Sequence, residues 1–280
     1  MSKQVVIAAD STCDLGKELI ERFGVRIVPL GVHLGEGEYV DGVNIDPDRI
    51  FAHYEKTGEL PKTAAPNIAA FAELCEQHGR DGLVIFTISS EMSSTYNNAR
   101  LAALAHGDVH VVDTRNLSTG GGLLVLAAAE MAARGMCAAE IAAACRALVP
   151  RVDASFVIDD LELLHKGGRC SALAALGANL LQLKPCISVK DGKMGVGKKY
   201  RGRFAAVLDK YVEDRLGDGS QVVRDHVFVT HAGCEPEIYE AVLARVRALL
   251  PDASVHLTRA GCTVSSHCGR NTLGVLFIRK

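Results

Sequence analysis

Short apolar runs rich in Val, Ile and Leu alternate along the chain with longer stretches rich in Ala and Leu. The short runs have the length of buried strands, and the longer stretches have the length of helices. Asp46-Pro47 and Pro66-Asn67 each place a capping residue and a proline at a helix start. In the first half of the chain, the pattern predicts strands at 5–9, 25–34, 83–87 and 109–112, a turn at 35–37, helices at 15–23 and 138–148, and helices from about residues 46, 66, 93 and 118.

The alternation of strands and helices is typical of a parallel α/β sheet with helices on both faces. Asp191-Gly192 between two β-type runs predicts a hairpin in the second half, so the sheet there should be mixed. We therefore expect a two-domain α/β fold, with a helix-flanked parallel sheet at 1–152 and a mixed sheet at 153–280. The second domain has predicted strands at 155–158, 186–189, 194–199, 227–230, 254–258 and 273–278, and helices at 161–165, 172–181, 236–250 and from residue 204.

The densest group of hydroxyl side chains follows the third predicted strand, at residues 89–96. Four serines and a threonine lie within seven residues, whereas one serine would suffice to cap a helix. A helix that begins here offers free N–H groups and a positive dipole end to a carboxylate or phosphate. The surplus of hydroxyls indicates that Ser89, Ser90 and Ser93 contact a ligand.

Other polar segments are open to a structural and a functional interpretation. Residues 10–15 could cap a helix or line the crevice at the end of a strand. Gly120, in a run of three glycines, would let the backbone approach either a ligand or another helix. His267 lies near the end of a β-type run at 263–269, and a lone histidine is more often structural than functional.

Composition and missing motifs exclude several classes of protein. A net charge of −2 and the lack of Trp argue against nucleic acid as a partner. The longest apolar run, at 123–133, is too short to span a bilayer, and no signal peptide precedes the first strand, so we expect a cytoplasmic protein. Nine cysteines without a CxxC pair indicate free thiols and no metal site. GxGxxG, GxSxG and HExxH are absent, and we expect no cofactor.

Eight short segments carry a resemblance to a known family when they are taken in order. They lie at 10–15, 63–67, 89–96, 113–122, 167–169, 184–193, 201–202 and 267–274. Together they resemble the corresponding segments of the DegV family, essentially from end to end. The departures are at Ala64, at Ser94 and at Arg270-Asn271-Thr272, the last of which adds bulk and charge beside His267.

The resemblance implies two α/β domains that hold a long-chain fatty acid and present it to a separate fatty acid kinase, without catalysis by the protein itself. It implies that Thr63 and Ser93 bind the carboxylate of the fatty acid. It also implies that Arg169, Arg201 and His267 lie near the mouth of the pocket that holds this acid. Together with the hydroxyl and glycine segments, the expected ligand contacts are Thr63, Ser89, Ser90, Ser93, Gly120 and His267, and the expected kinase contacts are Arg169 and Arg201.

The physical chemistry of a fatty acid agrees with this expectation. About a dozen buried methylenes at about 0.8 kcal/mol each give roughly 10 kcal/mol before ordering costs, so the tail dominates affinity. The alternative is an enzyme acting on a phosphorylated or sugar substrate on the same kind of scaffold, with residues 89–95 and 120–122 as its anchors.

Overall fold

The computed structural model describes residues 5–173 and 183–280. All but the first two residues of the helix predicted at 172–181 lie outside the described residues. The strands are β1 (Val6–Asp10), β2 (Arg26–Val28), β3 (Gly31–Leu34), β4 (Gly37–Val40), β5 (Lys62–Ala64), β6 (Leu83–Thr87), β7 (Val109–Asp113), β8 (Val152–Ile158), β9 (Lys184–Lys190), β10 (Lys193–Tyr200), β11 (Val222–Ala232), β12 (Val255–Arg259) and β13 (Thr272–Arg279). The helices are α1 (Lys17–Phe23), α2 (Pro47–Thr57), α3 (Ile68–His78), α4 (Thr95–Ala103), α5 (Thr119–Ala133), α6 (Ala138–Leu148), α7 (Glu162–Lys166), α8 (Phe204–Leu216), α9 (Pro236–Leu249) and α10 (Cys262–Cys268).

The first half of the chain forms a parallel sheet with the strand order β2-β1-β6-β7. Every residue of β6 is buried, because successive side chains point to opposite faces and helices cover both. Val84 and Phe86 pack with α5 and α6, whereas Leu83 and Ile85 pack with α3 and α4. The predicted parallel sheet with helices on both faces is confirmed.

The second half forms a six-stranded sheet with the order β10-β9-β8-β13-β11-β12. Only β11 and β12 pair in parallel, so the sheet is mixed, as predicted. The predicted hairpin joins β9 to β10, and both Asp191 and Gly192 have the positive φ angles that such a tight turn requires. Helices α8 and α9 pack on this sheet in a core of their own.

Helix α5 joins the two halves because it is buried on nearly all sides. It shares one apolar core with β1 and β6 of the parallel sheet and with Ala154, Phe228 and Leu276 of the mixed sheet. The two sheets therefore pack directly against the same helix. The predicted domain boundary after residue 152 falls at the start of β8 and stays a prediction.

Two segments of β-type sequence differ from the expectation. The strand predicted at 25–34 is divided at Pro29, which lacks an N–H donor, and its second part enters a small antiparallel sheet with the order β4-β3-β5. The β-type run at 263–269 is instead helix α10. Within the described part of the chain, no helix combines the length and the apolarity needed to cross a membrane.

Candidate functional site

A cavity of about 250 Å³ lies where the carboxyl ends of β6 and β7 face α10 and the small sheet. Crevices at this end of a parallel sheet are the usual binding sites of open α/β folds. Eight of the fourteen lining residues are apolar and six are polar or charged. The lining residues are Leu30, Thr63, Ala65, Ile88, Met92, Ser93, Ser94, Leu117, Arg169, Met194, Thr263, Val264, His267 and Cys268.

The polar part of this cavity is built around a hydrogen bond between Thr63 and His267. Thr63 Oγ1 lies 2.9 Å from His267 Nε2, although the residues are 204 positions apart. Thr63 is on β5, and His267 is in the last turn of α10. The fold therefore brings together the hydroxyl of Thr63 and the imidazole of His267, which were both expected to contact the same ligand.

Burial keeps the His267 imidazole neutral. Desolvation and the positive charge of Arg169 lower the pKa of His267 to about 4. Its Nδ1 is buried and has no hydrogen-bond partner among the described residues. If Nε2 carries the hydrogen and donates it to Thr63 Oγ1, the hydroxyl hydrogen of Thr63 is free to donate to a ligand oxygen.

Ser93 and Ser94 line the same cavity immediately before helix α4. Ser93 Oγ lies 2.8 Å from Thr95 Oγ1, and it also accepts a hydrogen bond from the Thr95 N–H at 3.3 Å. Ser93 thus stabilises the start of α4 while its hydroxyl borders the cavity. The structural and the ligand-binding interpretations of this serine are compatible.

Two buried carboxylates fix the position of α10, which carries His267. Asp14 accepts the Gly261 N–H at 2.8 Å and the Ser118 hydroxyl at 2.5 Å. Asp41 accepts the Cys262 N–H at 2.8 Å and the Thr263 hydroxyl at 2.7 Å. These contacts satisfy N–H groups that a helix start leaves unpaired.

The sequence indicates a role for Asp14 but gives no sign of one for Asp41. Asp14 belongs to the 10–15 segment, where a capping role was one of two open interpretations, and the helix it caps is a distant one. Burial raises the pKa of Asp14 to about 8. Asp41 was missed, since no local pattern marks a carboxylate whose partners lie 221 residues along the chain.

Half of the expected site residues lie in this cavity. Thr63, Ser93, Arg169 and His267 line it, and Arg169 is exposed at its edge. The other expected residues, which do not line it, are Ser89, Ser90, Gly120 and Arg201.

The contacts of these other residues are with the protein itself. Ser89 Oγ donates to the Gly192 carbonyl at 2.7 Å and ties the hairpin to the parallel sheet. A Cβ on Gly120 would lie only 2.4 Å from Asn116 Oδ1, so the glycine serves a close approach of chain segments. The N–H of Ser90 donates to Asp113, and Arg201 is exposed. A ligand or partner contact by these four residues stays a prediction.

A narrow apolar cavity of about 30 Å³ continues from the main one. Leu117, Val264 and Cys268 line both, and the narrow cavity extends among Phe156 and Leu276 of the mixed sheet. In the described ranges, no three His, Cys, Asp or Glu side chains are placed to hold a metal ion, and all nine cysteines are free thiols.

A cavity with an apolar wall and one polar end, between the sheets of an α/β fold, is typical of proteins that bind amphipathic small molecules. The chain belongs to the DegV family, whose sequence profile, described as "Uncharacterised protein, DegV family", matches residues 4–280. A DegV domain-containing protein of Streptomyces coelicolor is 32% identical over 283 residues, covering 99% of each chain. A DegV domain-containing protein of Deinococcus radiodurans is 33% identical over 286 residues, covering 97% of each.

Solved structures of relatives have the same fold over their whole length. A DegV family protein from Thermus thermophilus, described by its fatty acid binding, has a TM-score of 0.89 at 29% identity, covering 99% of this chain and 100% of its own. DegV of Bacillus subtilis, described as a fatty acid binding protein, has a TM-score of 0.86 at 26% identity, covering 100% of both. A stearic acid-binding protein from Eubacterium ventriosum has a TM-score of 0.84 at 28% identity, covering 100% of this chain and 99% of its own.

The lowered pKa of His267 has a measurable effect on stability. Between pH 6.5 and about 4 the unfolded chain takes up a proton on this residue that the folded protein resists. Stability from the neutral imidazole is therefore lost as the pH falls through this window. We expect the free energy of unfolding of the wild type, relative to His267→Gln, to decrease from pH 6.5 to pH 4 in denaturant titrations. The assignment would be contradicted if the difference in free energy of unfolding did not change with pH. It would also be contradicted if the exposed His165→Gln control showed the same trend.

Proposed function

We propose that this protein binds one long-chain fatty acid in the main cavity and performs no chemistry on it. The observation that carries the proposal is the Thr63–His267 hydrogen bond in a cavity whose wall is mainly apolar. Solved relatives that share the fold and at least 26% of the sequence are described as fatty acid binding proteins.

The polar end can receive a carboxylate. A Thr63 hydroxyl whose oxygen accepts from His267 can donate its own hydrogen to a carboxylate oxygen, and Ser93 adjoins the same space. Hydrogen bonds to a charged acceptor contribute about 1.5–3 kcal/mol each. These groups would orient the head group.

The apolar wall can receive the tail. Leu30, Ile88, Met92 and Leu117 line the main cavity, and the narrow cavity behind Leu117 offers a continuation. Two of the wall residues are methionines, whose unbranched side chains adapt to ligands of varying shape. The ligand would thus lie with its carboxylate near α10 and its tail between the sheets.

We propose further that the bound acid is presented to a partner fatty acid kinase, with Arg169 and Arg201 as contacts of that partner. Both guanidinium groups belong to exposed residues, and Gly168, with a φ of +70°, forms the turn before Arg169. Planar guanidinium groups suit phosphate and carboxylate better than a lysine does. No observation favours the alternative enzyme, since Ser89 and Gly120, among its anchors, contact the protein itself.

The head-group assignment predicts selectivity for an acid over an alcohol. In delipidated protein, Thr63→Val should weaken oleate binding by about 1–2 kcal/mol because a charge-assisted hydrogen bond is lost while the tail still binds. Ser93→Ala should have a similar effect, and oleyl alcohol should bind wild type and variants alike. Fluorescence displacement or calorimetry measures these affinities, and Thr57→Val, at the exposed last residue of α2, is the control. Wild type that binds neither oleate nor palmitate would refute the function, and equal binding of acid and alcohol would refute the head-group site.

If Arg169 contacts a partner kinase, replacing it should lower turnover by that kinase without lowering the affinity for lipid. Arg169→Ala should bind oleate nearly as wild type does, because the tail supplies most of the affinity. Acyl-phosphate formation with a cognate fatty acid kinase should fall by about tenfold or more if the guanidinium contacts that partner. Arg100→Ala, on the exposed side of α4, serves as the control. Normal turnover with Arg169→Ala would exclude the partner role, and lost oleate affinity would place Arg169 in the lipid site.

A further inference from the structure

A second cavity, larger than the first, lies between the end of β7, the β9–β10 hairpin, α8 and β13. Its volume is about 480 Å³. It shares no lining residue with the main cavity, and only Ala154 and Val189 with the narrow apolar one. The lining residues are Arg115, Asn116, Val149, Pro150, Val152, Asp153, Ala154, Ser188, Val189, Lys190, Asp191, Arg215 and Arg279.

Positive charge exceeds negative charge in this second cavity. Two guanidinium groups, those of Arg215 and Arg279, contact the single carboxylate of Asp153. Arg279 Nε donates to Asp153 Oδ2 at 2.6 Å, and the Asp153 side chain is only 4% exposed. The whole lining has four cationic side chains, those of Arg115, Lys190, Arg215 and Arg279, against two carboxylates, those of Asp153 and Asp191.

The largely buried Arg215 lacks part of its hydrogen bonding. Its Nε is buried and has no acceptor among the described residues. Burial and the charge of Arg279 lower the pKa of Arg215, which means that its environment disfavours the cation. A buried donor without a partner is destabilising, and more so when it is charged. A bound anion would relieve the repulsion between the two guanidinium groups.

Lys190 adds a cation that the protein does not use. It ends β9, it is exposed, and it makes no hydrogen bond or ion pair with any described residue. Arg115, by contrast, already binds Ser90, Glu91 and the Asp191 carbonyl. The groups available to a ligand are therefore Lys190 and the unpaired donors of Arg215 and Arg279.

We propose that this second cavity, which we call the arginine cavity, binds a small phosphate-bearing anion. Its cations come from three elements, β9, α8 and β13, so they surround a ligand from several directions. A tetrahedral phosphate can accept from several directions at once, and guanidinium forks match its oxygens. Two carboxylates, those of Asp153 and Asp191, already line the cavity, and the remaining excess of positive charge favours a further anion of high charge.

Calorimetric titration with inorganic pyrophosphate at low ionic strength tests the proposal. We expect wild type to bind, and Lys190→Gln to bind about tenfold more weakly. Lys199→Gln removes an exposed cation from the neighbouring strand β10, outside the arginine cavity, and should bind as wild type does. Oleate affinity should be the same in all three proteins, so this result is independent of the proposed lipid site.

A second variant should strengthen pyrophosphate binding instead of weakening it. Asp153→Asn removes the carboxylate that both guanidinium groups contact, so pyrophosphate should bind several-fold more tightly and should raise the melting temperature more than in wild type. Should this variant not fold, Lys190→Gln decides alone. No heat of binding at millimolar pyrophosphate would overturn the proposal. So would equal weakening by Lys190→Gln and Lys199→Gln, or citrate binding as tightly as pyrophosphate.

Discussion

The site depends on how the short helix α10 is held at its N-terminus. Asp14 and Asp41, both buried, accept hydrogen bonds from three consecutive backbone N–H groups at residues 261–263. Both carboxylates come from the first 41 residues, so they attach the last helix to the beginning of the chain. Because α10 carries His267, these two side chains set the distance across which Thr63 and His267 form their hydrogen bond.

Local patterns explain why most of the fold could be predicted from the sequence. Most strands of the parallel sheet are short apolar runs, and helices with recognisable caps pack on them, such as α3, where Asn67 accepts the Ala70 N–H. Helix α10 could not be predicted in this way, since its N-cap donors pair with carboxylates 247 and 221 residues away. Tertiary hydrogen bonds outweighed the β-type composition of that segment.

The candidate site was predicted only in part, for a related reason. Hydroxyl-rich loops mark strand ends, but they do not show which hydroxyl faces a cavity and which binds the protein. Ser93 borders the cavity, whereas Ser89, four residues earlier, is used to hold the hairpin. Gly120 likewise supports close packing beside Asn116. The arginine cavity left no sequence signal, because its cations come from separate elements and share only a buried carboxylate.

Occupancy of the main cavity by lipid tests the account most directly. A cavity with a mainly apolar wall beside a neutral, desolvated histidine favours an amphipathic ligand. Its tail would lie against the wall and its head group near His267. The protein should therefore be purified from cells together with its ligand. Mass spectrometry of the organic extract of purified, denatured protein should show a long-chain fatty acid at about one per chain, and much less from Thr63→Val. An extract free of fatty acid, from protein that also takes up none when it is added, would contradict the account.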